Sequence, residues 1–369
     1  MAAYDWTDTS RIDKLVFEMV NPTDLNSSYG VLEGVDIDSA TLSGGYYTDT
    51  RTSGKLTAIG ENWVRGSFIR IVHQIPEWDY SNELGTFLVT NDDRKRTNGT
   101  WAYELTLQSM LFGLSTDKLV RPWAIAKNAM MSKAAAQCLN AANRPYDFTG
   151  AADFRFKGAR VMETGTDRLA IMYALAKLAN NRLDVDGHGN VTMTRYVAPA
   201  SKAPVYRIDL QDRRGVAIDG LSGSTDYLEM PNIVGVCYKY NTTKNGKSVQ
   251  REINASAQVS SDNPHSGAVR GYNVVDFREL TEMSPATAAR AQQLAKQYLA
   301  ADSIEHVEWQ LSTIYLPIWE GDTVELVISD GEEAYQGVRH CLVKNVELKL
   351  SDMTMQLTLK ETSSGDDAD

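Results

Sequence analysis

The residues of this chain that could do chemistry are few and poorly grouped. The most suggestive run is Asp184-x-Asp186-x-His188-Gly189-Asn190-Val191. Carboxylates at the first and third positions and glycine at the sixth resemble the start of a calcium loop. The fifth position is His188, and the twelfth, where a bidentate glutamate should complete the shell, is Arg195. A hairpin turn is the expected structure, not a metal site. Histidines stand at 73, 188, 265, 306 and 340, without an H-E-x-x-H or similar pair. His340 and Cys341 are adjacent, and neighbours on a strand point to opposite faces, so they make a poor nucleophile and base. Gly220-Leu221-Ser222-Gly223 lacks the glycine pattern of a nucleophile elbow. There is no phosphate loop or dinucleotide fingerprint. Glu332-Glu333 and Asp366-Asp367 fall in a turn and a tail, where solvation accounts for them. Glycoside hydrolysis needs two facing carboxylates about 5–10 Å apart, an arrangement that leaves no mark in a sequence. No catalytic, cofactor-binding or metal-binding residue is assigned, no cofactor is implied, and the chain is not expected to be an enzyme.

The surrounding composition supports a folded, non-catalytic protein. Of 369 residues 43% are hydrophobic and 23% charged, ordinary values for a globular chain. The net charge of −11 argues against a grip on nucleic acid, which needs clustered Lys and Arg. Arg94-Lys95-Arg96 follows Asp92-Asp93 and reads as a solvated loop tip. Three cysteines, at 138, 237 and 341, are odd in number and far apart, so neither a disulfide framework nor a zinc site is expected, and a reducing compartment fits. The opening residues hold Asp5 and Asp8 and no apolar run, which is unlike a signal peptide. No stretch approaches the roughly 18 apolar residues of a membrane span. The 17 Tyr and 7 Trp are expected in cores and subunit interfaces before sugar sites.

The elements that must hold these residues read as mostly β. Leu15–Val20, Val35–Asp38, Lys55–Ile59, Ser67–His73, Thr86–Thr90 and Trp101–Gln108 are candidate strands, the last entered through the turn signal Asn98-Gly99. Helical spacing runs from Trp123 to Asn140, with Pro122 at the first position, and again from Asp167 to Ala179, capped by Thr166 or Thr164. A hairpin follows, Arg182–Val185 with Val191–Thr194. Tyr206–Leu210 and Ile233–Tyr238 read as strands, 241–270 as polar and loop-rich, and a third helix runs from Ser284-Pro285 to about Ala301. Strands return from Glu305 to Thr362, and 363–369 reads as a disordered acidic tail.

The two β stretches look like repeats. Gly66–Val72 lines up with Gly321–Val327, each glycine preceded by a tryptophan, Trp63 and Trp319. The next strands begin at Gly85 and Gly337, and Tyr103–Gln108 then matches Met355–Lys360. The fold class that follows is α+β, mainly β: two related small antiparallel β-barrels flanking a mixed α/β middle region. The expected domains are 1–115 (first barrel), 116–200 (helix and hairpin domain), 201–304 (mixed strand and helix domain packing with the second barrel) and 305–362 (second barrel). Three copies of a doubled barrel would present six similar faces under threefold symmetry.

These same residues resemble a known family. The run from Trp63 to Thr90, with Gly66-Ser67-Phe68-Ile69-Arg70-Ile71 and then Leu84-Gly85-Thr86-Phe87-Leu88-Val89-Thr90, is similar to the start of the tail-tip or baseplate hub proteins of long-tailed phages and prophages. Gln108–Leu114 resembles that family's passage from first barrel to middle domain, and Gly321-Asp322-Thr323-Val324 its last barrel. The likeness covers roughly 15–360. It implies a homotrimeric, pseudo-hexameric ring in the virion, assembled in the host cytoplasm. Such a ring joins the sixfold tail tube and distal tail protein to a threefold tip, closes the tube and opens for DNA ejection. Implied partners are the tape measure protein and tip or fibre proteins, with DNA passing through the lumen without sequence-specific contacts. Longer relatives carry a wall-degrading extension, whereas this sequence stops just after its second barrel. A carbohydrate-binding host-adhesion protein is the alternative, and a cell-wall hydrolase a weaker one.

Overall fold

The computed structural model describes residues 4–8, 10–60, 62–97, 99–211, 216–225, 227–228, 230–244, 247–280, 287–303, 307–329 and 336–362. The fold is mainly β, with 50% strand and 16% helix. The N-terminal stretch supplies β1 (Lys14–Asn21), β2 (Asp24–Val31), β3 (Val35–Gly45), β4 (Thr52–Ile59), β5 (Phe68–Ile75), β6 (Tyr80–Thr97) and β7 (Thr100–Gln108). Alternation decides which face turns inward: Gly54, Leu56 and Ala58 of β4 and Leu105 and Leu107 of β7 are buried, and their neighbours less so. β5 is buried almost throughout, from Phe68 to Ile75, as a run with no exposed position must be.

The middle region begins with α1 (Met110–Thr116), β8 (Trp123–Ile125), α2 (Met131–Ala141), β9 (Tyr146–Asp147) and β10 (Arg160–Met162). It ends with α3 (Arg168–Leu178), β11 (Asn181–Val185) and β12 (Val191–Arg195). Its helices bury Leu114, Ala135, Leu139 and Leu175 against Leu183 and Met193 of the hairpin in a core of their own. The C-terminal stretch then runs through β13 (Tyr206–Asp209), β14 (Ala217–Thr225), β15 (Ile233–Lys244), β16 (Lys247–Gln258), α4 (Gly267–Arg270) and β17 (Val275–Leu280). α5 (Ala288–Asp302), β18 (Val307–Ile314), β19 (Thr323–Ile328), β20 (Gly337–Lys349) and β21 (Thr354–Glu361) complete it. β15, β16 and β17 form a separate sheet covered by α5, where Val234 and Val236 meet Ala295 and Leu299.

The two β regions join in one sheet of 13 strands. Within it two six-strand halves have the same order: β3-β4-β7-β6-β5-β1 in the first and β14-β18-β21-β20-β19-β13 in the second. Among the described residues the ladder is an open path, and neither half closes as the barrel expected from the sequence. The reason lies in β20. Its start pairs with β19 and its end, Asn345–Lys349, pairs with Gly45–Thr41 of β3, so the second half feeds directly into the first. One core accordingly spans both, from Leu42, Leu56 and Leu107 to Leu311, Val346 and Leu357.

Several local expectations shift. The helix expected from Trp123 to Asn140 is α2 and begins only at Met131, because Trp123–Ile125 is drawn into a ladder with Arg160–Met162 and Asn128 takes a positive φ of 67°. α3 is capped by Asp167, whose carboxylate accepts from the Ala170 amide at 2.7 Å, and not by Thr166 or Thr164. Of the segment 241–270 read as loop-rich, the part up to Gln258 belongs to a long hairpin, paired continuously from Ile233↔Gln258 to Lys244↔Lys247, and the rest holds turns and the short α4. Arg94-Lys95-Arg96 is strand, paired with Tyr103, Ala102 and Trp101. The expected Ser284-Pro285 start of the last helix lies outside the described residues, as do Asn98, Glu332-Glu333, His306 and the acidic tail; Thr287 caps α5. Among the described residues no helix is long and apolar enough to cross a membrane.

Candidate functional site

Several side chains with shifted pKa values, Glu320, Asp322 and Lys202, gather where the two halves and the middle region meet. The turn Trp319-Glu320-Gly321-Asp322 leads into β19. Its closing bond runs from the Asp322 amide to the Trp319 carbonyl at 3.1 Å, and Gly321 has a φ of +88°, a conformation that favours glycine. The Trp319 amide donates back to Asp322 Oδ2 at 2.9 Å. The Gly321 amide donates to the Val343 carbonyl and the Val343 amide to the Asp322 carbonyl, fixing the turn on β20.

This turn folds Glu320 inward over Gly44 of β3, where no Cβ could fit beside its carboxylate. Glu320 is only 8% exposed and its Oε2 has no hydrogen-bond partner. Burial, reinforced by the negative charge of Asp184, pushes its pKa up to about 7, against the pull of Arg182 and Arg51. Arg182 of β11 reaches across from the middle region. It donates to the Glu320 carbonyl at 3.1 Å, pairs with Asp184 at 2.8 Å and lies 4.7 Å from the Tyr46 ring centroid. Lys202 donates to the Gly321 carbonyl at 2.8 Å, and burial lowers its pKa. Burial likewise raises the pKa of Asp322.

Two clefts open at this junction. One, of about 530 Å³, is lined by Tyr46, Tyr47, Tyr173 and Tyr196 with Arg51 and Arg182 among its walls. The other, of about 410 Å³, is acidic, with Glu83, Asp184, Asp186, Glu320 and Asp322 on its walls. Among the described residues no group of three or more His, Cys, Asp or Glu is placed to hold a metal ion.

The residues weighed from the sequence fall elsewhere or take other roles. The Asp184–Val191 run is the expected hairpin turn, closed by Asp186, which accepts from the amide and side chain of Asn190 at 2.8 Å. His188 at its tip turns towards the first half, with Nδ1 3.3 Å from Glu83 Oε1. There Arg70 of β5 donates to the carbonyls of Leu25 at 2.8 Å and His188 at 3.3 Å, docking the turn on the sheet. His340 and Cys341 do part, as strand neighbours should. His340 bonds with Thr362 and the Lys202 carbonyl, while burial drives the Cys341 thiol up to about 12, far from a working nucleophile. His73 is buried and donates to Asp13 at 2.7 Å under an aromatic cluster that includes Tyr80 and Tyr315. All three cysteines are free and buried. Sequence reading missed Glu320, Arg182 and Arg70. The available signal for Glu320 was its place between Trp319 and a glycine landmark, where a turn buries what composition assigns to solvent.

The sequence matches no family profile and no curated protein. The fold does have counterparts. The tail protein from Neisseria meningitidis MC58 matches over 96% of this chain and 98% of its own, with a TM-score of 0.64 and 10% identity. The prophage MuSo2 43 kDa tail protein from Shewanella oneidensis matches over 97% and 100%, with a TM-score of 0.63 and 12% identity. A chain of the Francisella PdpA-VgrG complex matches over 96% of this chain and 59% of its own, with a TM-score of 0.54 and 10% identity. The chain therefore has the fold of phage and prophage tail proteins from end to end, at identities where fold alone is shared.

Proposed function

We propose that the chain is a structural tail-tip protein of a phage or prophage, a hub whose three copies form a pseudo-hexameric ring. The carrying observation is the repeated six-strand order. One polypeptide presents the same sheet twice, so a threefold particle offers six near-equivalent surfaces to a sixfold tube. The full-length match to two tail proteins supports the setting. In this reading residues 1–115 and 305–362, with β13 and β14 added from the 201–304 stretch, build the ring, and 116–200 packs beside it. The ring joins the tail tube and distal tail protein to the tip, holds the tube closed and opens for DNA ejection. It sits in the virion after assembly in the host cytoplasm, next to the tape measure protein and to tip or fibre proteins. A net charge of −11 suits a lumen along which DNA slides without binding. The buried, unreactive Cys341 and the docked His188 give no support to an enzyme.

Mass in solution tests the reading. The subunit is 40.9 kDa. Light scattering or native mass spectrometry should find three subunits per particle, and negative-stain images should show rings. A strictly monomeric chain, or a dimer, would overturn the ring.

A further inference from the structure

We infer that neighbouring copies of this chain pair edge to edge, β6 of one with β14 of the next, in the register of the chain's own internal junction. The inference rests on the ring reading and names the strands that would close it.

The internal junction is a template. Residues 345–349 of β20 pair with β21 on one side and with β3 on the other, in the register Glu347↔Ser43, Leu348↔Leu42, Lys349↔Thr41. The strand order makes β6 the counterpart of β20, and β14 the counterpart of β3. Two irregularities fix the alignment to the residue. The β20–β21 ladder skips one residue between Val343 and Asn345, and the β6–β7 ladder skips one between Val89 and Asn91. The β3–β4 ladder breaks just before Thr41, and the β14–β18 ladder breaks just before Ser222. Superposed on these breaks, Asn91, Asp93 and Lys95 stand where Asn345, Glu347 and Lys349 stand, and Ser224 and Ser222 stand where Ser43 and Thr41 stand. The side chains at the outward positions are thus alike in chemistry, position by position.

What differs is occupancy. β6 runs on past the end of β5, and its residues 91–95 are laddered only to β7. β14 ends the sheet and is laddered only to β18. Among the described residues no strand occupies either outer edge. Such edges are templates for strand addition. Charged residues often blunt an edge against chance pairing, yet Glu347 and Lys349 carry the same charges where the pairing is made, so Asp93 and Lys95 are compatible with it. Arg65, the counterpart of buried Glu320, has a side chain 62% exposed beside this edge, reaching Asp92 at 3.2 Å. An arriving strand would cover it as β3 covers Glu320. Because β6 meets β14 and not another β6, the contact is head to tail, as a ring requires.

Engineered disulfides in the full chain test this. The pairs Asp93→Cys with Ser224→Cys, and Lys95→Cys with Ser222→Cys, are in register. Asp93→Cys with Ser222→Cys is two residues out, which places the Cα atoms about 8 Å apart, beyond the roughly 7 Å a disulfide bridges. The native cysteines are buried and do not compete. After mild oxidation, non-reducing denaturing gels should show a reducible covalent series ending at trimer for both matched pairs, and monomer for the shifted pair. A particle of three subunits that fails to cross-link at the matched pairs, or cross-links equally at the shifted one, overturns the strand pairing and leaves the ring. A mass of one subunit, with no cross-link, overturns both.

Discussion

The two halves of the sheet keep their backbone and exchange their side chains. Both enter the fourth strand of the half in chain order, β5 and β19, through a four-residue turn with glycine in third place. Gly66 has a φ of +84° and Gly321 of +88°, and the closing bonds, Ser67 to Val64 and Asp322 to Trp319, are both 3.1 Å. Both then bulge at one matching point in the following hairpin. The residues that fill these frames differ. In the first half the Leu42 side chain lies over Gly54; in the second, the counterpart of Leu42 is Gly223 and the counterpart of Gly54 is Trp309, whose ring lies over that glycine. Bulk has crossed from one strand to its neighbour while the pair stays filled. The outermost strand differs too, β1 running antiparallel to β5 and β13 parallel to β19. Hydrogen-bonded frames tolerate little change, whereas packing can be satisfied by several combinations of similar total volume.

The comparison breaks most sharply at the middle of β5 and β19. Arg70 is 8% exposed at its side chain and its counterpart Glu325 is 33% exposed. Arg70→Ala would leave the carbonyls of Leu25 and His188 without a donor and Glu18 and Glu83 without their cation, and should cost about 3–5 kcal/mol. Glu325→Ala removes only the exposed pair with Arg207 at 3.5 Å and should cost less than about 1 kcal/mol. Urea midpoints of the two variants should differ accordingly; equal losses would show that the middle region does not lean on the first half through Arg70.

The next contrast is Glu320 with Arg65. Folding raises the Glu320 pKa from 4.5 to about 7. A carboxyl raised in this way favours its protonated form in the folded chain. Its contribution is complete below about pH 4.5 and is lost as pH rises through 7. Glu320→Gln removes that slope. Stability of the variant relative to the parent should therefore climb by about 3 kcal/mol between pH 4 and pH 8. Arg65→Gln should show no such climb. Parallel pH curves for Glu320→Gln and the parent would mean that the carboxylate is solvated and the junction open.

Much of the sheet was legible in the sequence because strand and turn chemistry are local. Ser67–His73 announces a strand by Phe68, Ile69, Ile71 and Val72 between turn residues, and Asp186–Asn190 a turn by its residues. Gly66 and Gly321 mark one repeat through the single residue type that suits a positive φ. The junction was not legible. The pairing of β20 with β3 joins residues some three hundred positions apart and leaves no periodic trace, so two closed barrels were expected where one open sheet stands. Polarity misled at Lys247–Gln258, where a continuous ladder holds a strand whose residues read as loop. Glu320 was not singled out from the sequence; the turn buries its carboxylate under β3.

The smallest effect concerns the two turn glycines and separates frame from filling. At Gly66 an added Cβ meets nothing within 4 Å, so Gly66→Ala should cost only the left-handed strain, about 1–2 kcal/mol. At Gly321 the same strain applies, but a Cβ would lie 1.7 Å from Arg182 Nη1. The guanidinium must then withdraw from the Glu320 carbonyl and from Tyr46, adding about 1 kcal/mol for the lost bond and stacking. Adding Arg182→Ala to both variants should sharpen the reading. In that background the alanine at 321 should cost no more than the alanine at 66, because only the shared turn remains. If the excess at 321 persists without Arg182, the two turns are not equivalent frames, and the matching of Arg65 with Glu320 loses its support.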